Sequence, residues 1–354
     1  QFSANSIASF EKALLYWEDF TKTEDFHLFD DKQAVAFRDW LKRKEKKGSK
    51  NPISLSYCYD ILRYLRKFFE WLAQQPKSKI NATHIGYLNL SRKESQIATR
   101  ARTVDAPTFE EVLQVLESIN GETEVEKRDK ALIALTLLTG ARISAIASLR
   151  MKSFDKRRLI LEQDPASGVK TKFSKMITTA LFPMPDPKPL AYFLEWFDYL
   201  EKTRKFSSNN PLFPATKLEQ GKENISYYSS GVVEPVFWSN ASPARKIFEK
   251  RFKGAGIPYF HPHTFRHLIV KEFIKTRLTE EEKKAISQNL GHTDVGTTFG
   301  SYGYGKISTD RQTEIIRGIK FGNPEIEPVI GDMSDTAIKK LAKILKKELA
   351  ESEK

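Results

Sequence analysis

Apolar residues recur along the first hundred positions with the spacing of helices. Over residues 7–20, Ile7, Phe10, Leu14 and Trp17 share one face of a 3.6-residue turn. Residues 31–47 repeat the pattern with Ala34, Phe37, Trp40 and Leu41, and run into a basic stretch, 42–50, broken by Gly48. Residues 54–74 carry the clearest stripe, formed by Ile61, Leu65, Phe68 and Leu72. Arg63, Arg66, Lys67 and Glu70 lie on the other side and Pro76 closes the helix. A short helix is expected at 82–90. The pattern then lapses over 91–107, which is polar, basic (Arg92, Lys93, Arg100, Arg102) and reads as an interdomain linker.

Periodicity resumes at Thr108, an N-cap followed by Glu110 and Glu111 in the first turn. Helices are expected at 109–119 and 127–138, and again after Gly140. Residues 158–162 read as a short strand, and 175–181 as its antiparallel partner beyond a turn at 165–168. A helix over 189–202 starts with Pro189 in its first turn. Residues 205–242 are long, polar and spotted with Tyr227, Tyr228, Phe237 and Trp238, which suggests a mobile surface insertion. Helical spacing returns at 243–253, 264–275, 280–290 and 308–318. Residues 324–332 read as a second linker, and 334–351 as a last amphipathic helix with Ile338, Leu341, Leu345 and Leu349. The expected fold is mainly α with a small β-hairpin. Its expected parts are a helical domain over 1–90, the linker 91–107, a second domain over 108–323, and a linker with a C-terminal helix over 324–354.

Composition narrows the class. A chain of 354 residues is longer than one ordinary domain needs. Its 40% hydrophobic and 29% charged residues suit a soluble protein with packed cores. No apolar run approaches the roughly 18 residues of a membrane span, so no membrane partner is expected. Cys58 is the lone cysteine, which excludes an intrachain disulfide and fits a cytoplasmic, nucleoid-associated setting. Few Cys and Met beside many Lys and Glu is also the drift of heat-adapted proteins. A formal net charge of +13 favours a polyanionic partner. There is no P-loop and no metal-ligand motif, so neither cofactor nor metal is expected.

Three short segments carry the chemistry: Thr139-Gly140-Ala141-Arg142, His263-Thr264-Phe265-Arg266-His267, and Leu290-Gly291-His292 with Tyr302 ten residues on. Attack on a phosphodiester needs charge on the non-bridging oxygens, a nucleophile, and a proton for the leaving oxygen. Arg142 and Arg266 suit the first need, because a guanidinium pairs two oxygens at once and keeps its charge. His263 and His292 can bond the same phosphate or handle a proton near neutral pH. Tyr302 is the nucleophile this cluster offers. A phenol of pKa about 10 is only roughly one part in a thousand ionised at pH 7, so it needs a base or positive surroundings. A lysine of the hairpin turn can protonate the leaving oxygen. Each piece alone is ordinary: a helix end, a capping residue, a packing tyrosine. Their order and spacing together are not.

The motifs TGARISAIASL, HPHTFRHLIV and LGHTDVGTTFGSY resemble those of the tyrosine recombinase (phage integrase) family. The resemblance covers 108–318 in order, and the N-terminal helices resemble that family's core-binding domain. It implies a two-domain clamp on double-stranded DNA, with Arg142 and Arg266 clamping the phosphate beside His263 and His292. Tyr302 would form a 3′-phosphotyrosyl bond and release a 5′-hydroxyl. The resemblance places the general acid at Lys172, with Lys170 open as an alternative and Lys175 less favoured. It also implies a homotetramer on two DNA sites, assembled from monomers or weak oligomers, and makes 334–351 a candidate to dock on a neighbouring protomer. The chain departs from the family pattern at Ala145, where a carboxylate is common. Tyr304 is a rival nucleophile that the spacing from His292 disfavours. His261 reads as local structure before the motif, and His267 as a brace behind the site.

The length of the 205–242 segment favours an integrase of a mobile element over a chromosome-dimer resolvase. Two further readings stay open: a type IB topoisomerase with the same residue chemistry, and a non-catalytic DNA-binding protein on this fold.

Overall fold

Short polar side chains start most of the helices by accepting the otherwise unpaired first-turn N–H groups. After α1 (Ala4–Thr21), Asp30 caps α2 (Asp31–Arg43) and Ser54 caps α3 (Leu55–Ala73). Reciprocal Ser/Thr–Glu capping boxes open α4 (Arg92–Thr99), α5 (Phe109–Glu117) and α6 (Glu124–Thr139). The computed structural model describes residues 4–304, apart from 47, 101–103, 221–226 and 277. The helices expected at 308–318 and 334–351 lie outside the described residues.

In the N-terminal part, Trp17, Phe29, Phe37 and Phe69 form one aromatic cluster. Trp17 meets Phe37 and Phe69 at 4.9 and 5.0 Å between ring centres, and Phe29 stacks on Phe69 at 4.0 Å. The expected stripes are partly shifted. In α1, Ala13 and Trp17 are buried while Ile7 stays exposed, and in α3 the deep position is Phe69 rather than Phe68. One expectation is corrected here. Residues 92–99, read as linker, form α4, whose Ala98 is buried in this same cluster. The capping pair Ser91–Glu94 was visible in the sequence, but the segment's single small buried residue leaves no stripe to detect.

A second core is built around α6, whose residues 131–139 are all buried. It is flanked by the short α7 (Ile143–Ile146) and by a three-stranded antiparallel sheet in the order β1 (Phe154–Asp155), β2 (Ile160–Gln163), β3 (Ile177–Ala180). In the β2–β3 register, Leu161 lies opposite Thr179 and Gln163 opposite Ile177. α8 (Lys188–Asp198) packs on α6 and runs into a π-helical turn, Tyr199–Thr203.

The expected surface insertion at 205–242 is a second correction. It contains an antiparallel pair, β4 (Ala215–Gln220) and β5 (Tyr227–Glu234), anchored by buried Leu212, Phe213 and Val233. The register shifts between Thr216 and Leu218, and the paired residues are mostly polar. Both features erase the alternation by which strands are recognised. After the pair come α9 (Ser242–Gly254), α10 (Phe265–Ile274) and α11 (Glu280–Asn289), then a π-helical segment, Thr297–Tyr304. Among the described residues, no helix is long and apolar enough to cross a membrane.

A buried ionic network fastens α6, α9 and the β4 end. Asp129, 2% exposed, accepts from Arg128 Nε and Nη2 at 3.1 and 2.8 Å through one oxygen. Its other oxygen accepts from Arg251 Nε and Nη2 at 2.9 and 2.7 Å. Arg128 Nη1 also donates to the Pro214 carbonyl and the Thr216 hydroxyl, at 3.0 and 2.8 Å. Removing the shared carboxylate leaves buried Arg128 without its counter-charge and Arg251 with only Glu126, 3.8 Å away. Asp129→Asn is therefore expected to cost about 3–5 kcal/mol, read as a large drop in thermal midpoint. An unchanged midpoint would show that the network contributes nothing.

Candidate active site

The three motifs meet where helix ends converge. α6 ends at Gly140, which adopts a left-handed φ of 58°. A Cβ there would stand 2.8 Å from Leu290 Cδ2 and 3.1 Å from Ile269 Cδ1, so only glycine lets the α10 and α11 side chains this close. Gly291 follows α11 with φ 72°, and a Cβ on it would lie 2.6 Å from Ile177 Cδ1 of β3. Asn289 ties the same corner to β3. It donates to the Ala180 carbonyl at 2.9 Å and accepts from the Ala180 N–H at 2.7 Å, while the Thr179 hydroxyl donates to the Asn289 carbonyl at 2.9 Å.

Arg266, on the first turn of α10, is 2% exposed. Its Nε donates to the Gly140 carbonyl at 2.6 Å and its Nη1 to His292 Nε2 at 2.8 Å. Arginine only donates, so His292 Nε2 must be an acceptor and its proton must sit on Nδ1. Nδ1 lies 2.8 Å from the Thr298 hydroxyl, which donates to Ser287 Oγ at 3.0 Å; Ser287 in turn donates to the Asp294 carbonyl at 3.3 Å. This relay fixes the tautomer of His292. Thr298 and Ser287 are buried, and sequence reasoning did not single them out. Their only signal is a hydroxyl six residues after His292 and another five before it.

Tyr302 sits among three imidazoles. Its hydroxyl is 2.9 Å from His263 Nε2. Its ring stacks on His292 with centres 5.2 Å apart and 15° between planes, and lies 4.7 Å from the His267 ring. His261 sets the approach: its Nδ1 accepts from the His263 N–H at 3.2 Å. Arg142 is the N-cap residue of α7 and half-buried. Among the described residues neither Arg142 nor Arg266 has a carboxylate partner, although the charge of Arg142 acts on His263, Arg266 and His292.

Burial first, and then this positive field, set the titration of the site. Burial, then the charges of Arg266 and Arg142, pull His292 down to about 4 from 6.5. His263 is partly open to solvent, yet the same causes in the same order hold it at about 4. Burial lowers His267 too. Near neutral pH the imidazoles are uncharged, so His263 Nε2 is free to accept the phenol proton.

The structure therefore gathers Arg142, His263, Arg266, His292 and Tyr302, with His267 behind. It does not bring Lys172 into contact with them. The Lys172 ammonium lies over its neighbour Phe173, 4.9 Å from the ring centre, at the tip of the β2–β3 turn. Lys170 Nζ reaches the Ser239 carbonyl at 3.4 Å. Lys175 is the lysine of this turn whose charge bears on His292. Ala145 is buried in α7. Among the described residues no group of three or more His, Cys, Asp or Glu is arranged to hold a metal.

A model described as "Phage integrase family" matches residues 107–304, more than half of the chain. The chain is 23% identical over 305 residues to the tyrosine recombinase XerD of Listeria innocua, covering 84% of this chain and 86% of the relative. It is 25% identical over 316 residues to a probable integrase/recombinase of Aquifex aeolicus, covering 84% and 89%. The fold is similar to that of a lambda integrase fragment solved as a dimer on a COC′ core site, with a TM-score of 0.54 and 13% identity over 87% of this chain and 93% of that one.

The depressed His292 sets a pH dependence. Its folded value, about 4, lies below the unfolded 6.5. Unfolding then takes up a proton between these values, so stability is fully present above about 6.5 and is lost as pH falls toward 4. The thermal midpoint should drop across that window, and drop less in His292→Gln. A variant with an acid slope as steep as the parent's would contradict the depressed value.

Proposed function

This chain belongs to the phage integrase family, and we infer from that premise that it is a site-specific tyrosine recombinase that cuts and rejoins DNA through Tyr302. The observation that carries the assignment of the nucleophile is the Tyr302 hydroxyl, 2.9 Å from an uncharged His263 and beside Arg266, whose charge has no carboxylate partner among the described residues.

The step proceeds as follows. A DNA phosphodiester enters between Arg142 and Arg266, whose N–H groups pair its non-bridging oxygens. The Tyr302 oxygen attacks phosphorus and its proton passes to His263 Nε2. A 3′-phosphotyrosyl bond forms, the bond to the 5′ oxygen breaks, and that oxygen leaves as a hydroxyl with a proton from Lys172 at the turn. Rejoining is the reverse, with a 5′-hydroxyl of the partner strand attacking the phosphotyrosine. The bond energy is conserved in the covalent link. His292 acts on Arg266 and Tyr302: it accepts one guanidinium N–H and stacks on the phenol, holding both in register.

The domains follow from the same reading. The N-terminal helices and the 108–323 domain close around the duplex from two sides. Exchange between two duplexes cuts four strands, which calls for four protomers with one tyrosine each. Residues 334–351 dock on a neighbouring copy. Lysines and arginines neutralise phosphates, so binding weakens steeply with salt. The enzyme works where the chromosome or a mobile element is accessible. Integration and excision are its reaction; a chromosome-dimer resolvase would use the same residues at a different DNA site.

Two experiments test this. Incubation with a supercoiled DNA library should trap a covalent adduct whose peptide maps to Tyr302. The adduct should vanish in Tyr302→Phe and persist in Tyr304→Phe, and sequencing the trapped DNA gives the site. Salt-sensitive binding with no adduct would point to a non-catalytic DNA-binding protein, and relaxation of any plasmid regardless of sequence to a topoisomerase. The second experiment replaces the leaving 5′ oxygen by sulfur. A thiolate leaves without a proton, since a thiol ionises near pH 8.5. Lys172→Ala should therefore be slow on ordinary DNA and near parental on the sulfur duplex. Rescue confined to Lys170→Ala or Lys175→Ala would move the acid to that lysine.

A further inference from the structure

The tip of the β2–β3 turn carries an apolar side chain that the fold holds out in water. Phe173 is 88% exposed, the most exposed large hydrophobic side chain among the described residues. Phe173 and Ser174 both take left-handed backbone conformations, with φ of 61° and 49°, which residues with a Cβ rarely adopt. Neither strain nor hydration favours an exposed ring at this place, and a partner covering its open face would offset both costs.

The surroundings identify the chemistry of that partner. Residues 165–185 contain no Asp or Glu, while Lys170, Lys172 and Lys175 surround the ring in sequence. The Lys172 ammonium lies over one face of the phenyl. A ring and a cation presented together suit a nucleobase face and its phosphate. The place is also defined. β3 is bonded to Asn289, three residues before His292, so the turn projects from the strand that borders the site.

We propose that Phe173 is a wedge that enters the base step beside the cleaved phosphodiester and stacks on the base it displaces. This rests on the recombinase reading above. Opening that step loosens the 5′-hydroxyl strand, which must leave its own duplex to reach the partner.

The test uses the full chain and the DNA site recovered by covalent trapping. 2-Aminopurine is placed in turn on each side of the cleaved bond, and Tyr302→Phe protein is bound so that no strand breaks. Fluorescence should rise severalfold at one position and stay flat with the further change Phe173→Ala, while affinity shifts by less than about tenfold. With Tyr302 intact, Phe173→Ala should cleave about tenfold more slowly. A mismatch at the same step should restore the rate and a sulfur leaving group should not. A rise that survives Phe173→Ala, or no rise at any position, overturns the wedge. A defect cured by sulfur instead of the mismatch also overturns it, because the loss then lies at Lys172. Failure of the parent protein to form an adduct with any duplex removes the recombinase reading and the wedge with it.

Discussion

The site is organised by one buried cation. Arg266 is almost wholly removed from water, and a guanidinium in that position must have its N–H groups met. The fold meets them with a backbone carbonyl at Gly140 and a neutral imidazole at His292, neither of which carries a negative charge. These two bonds hold the guanidinium in place, while its charge is left over and N–H groups remain to meet an anion. With Arg142 close enough to add its own field, positive charge is concentrated at this corner. A phosphodiester drawn to that charge would also give the neighbouring tyrosine something to attack, as the proposed reaction requires.

The same bond draws the rest of the site into place. Because Arg266 must reach both Gly140 and His292, the end of α6, the start of α10 and the end of α11 are held together. Glycines at 140 and 291 are required because the packing leaves no room for a Cβ at either turn. The Asn289 clasp then fixes β3 against this corner, which positions the β2–β3 turn and its lysines. The field of the two arginines, added to burial, keeps the imidazoles uncharged. An anionic phosphate between the arginines would offset that field and so would raise the basicity of His263.

Much of this was legible in the chain itself. The residue types and order, Arg142, His263, Arg266, His292 and Tyr302, follow from the motifs. Most helices follow from apolar spacing and Ser/Thr–Glu caps, because both are local. The β4–β5 pair was hidden because its register shifts and its faces are polar, so the segment resembled an insertion. α4 was hidden because one alanine is all that it buries. Ile7 and Phe68 fell on apolar stripes, yet tertiary packing chose Ala13 and Phe69 instead.

What the sequence by itself determined is the inventory: a basic, mainly helical protein with two arginines, three histidines and one tyrosine in a set order. Only the tertiary structure decided how these groups work on one another. It set the tautomer of His292 through Thr298 and Ser287, and stacked that ring on Tyr302. It also turned His263 toward the phenol and left Lys172 at the tip with Phe173. The physical reason is that spacing along the chain encodes helix faces and caps. Protonation, charge balance and the pairing of Arg266 with a carbonyl 126 residues away depend on burial and distance, which exist only once the chain has closed on itself.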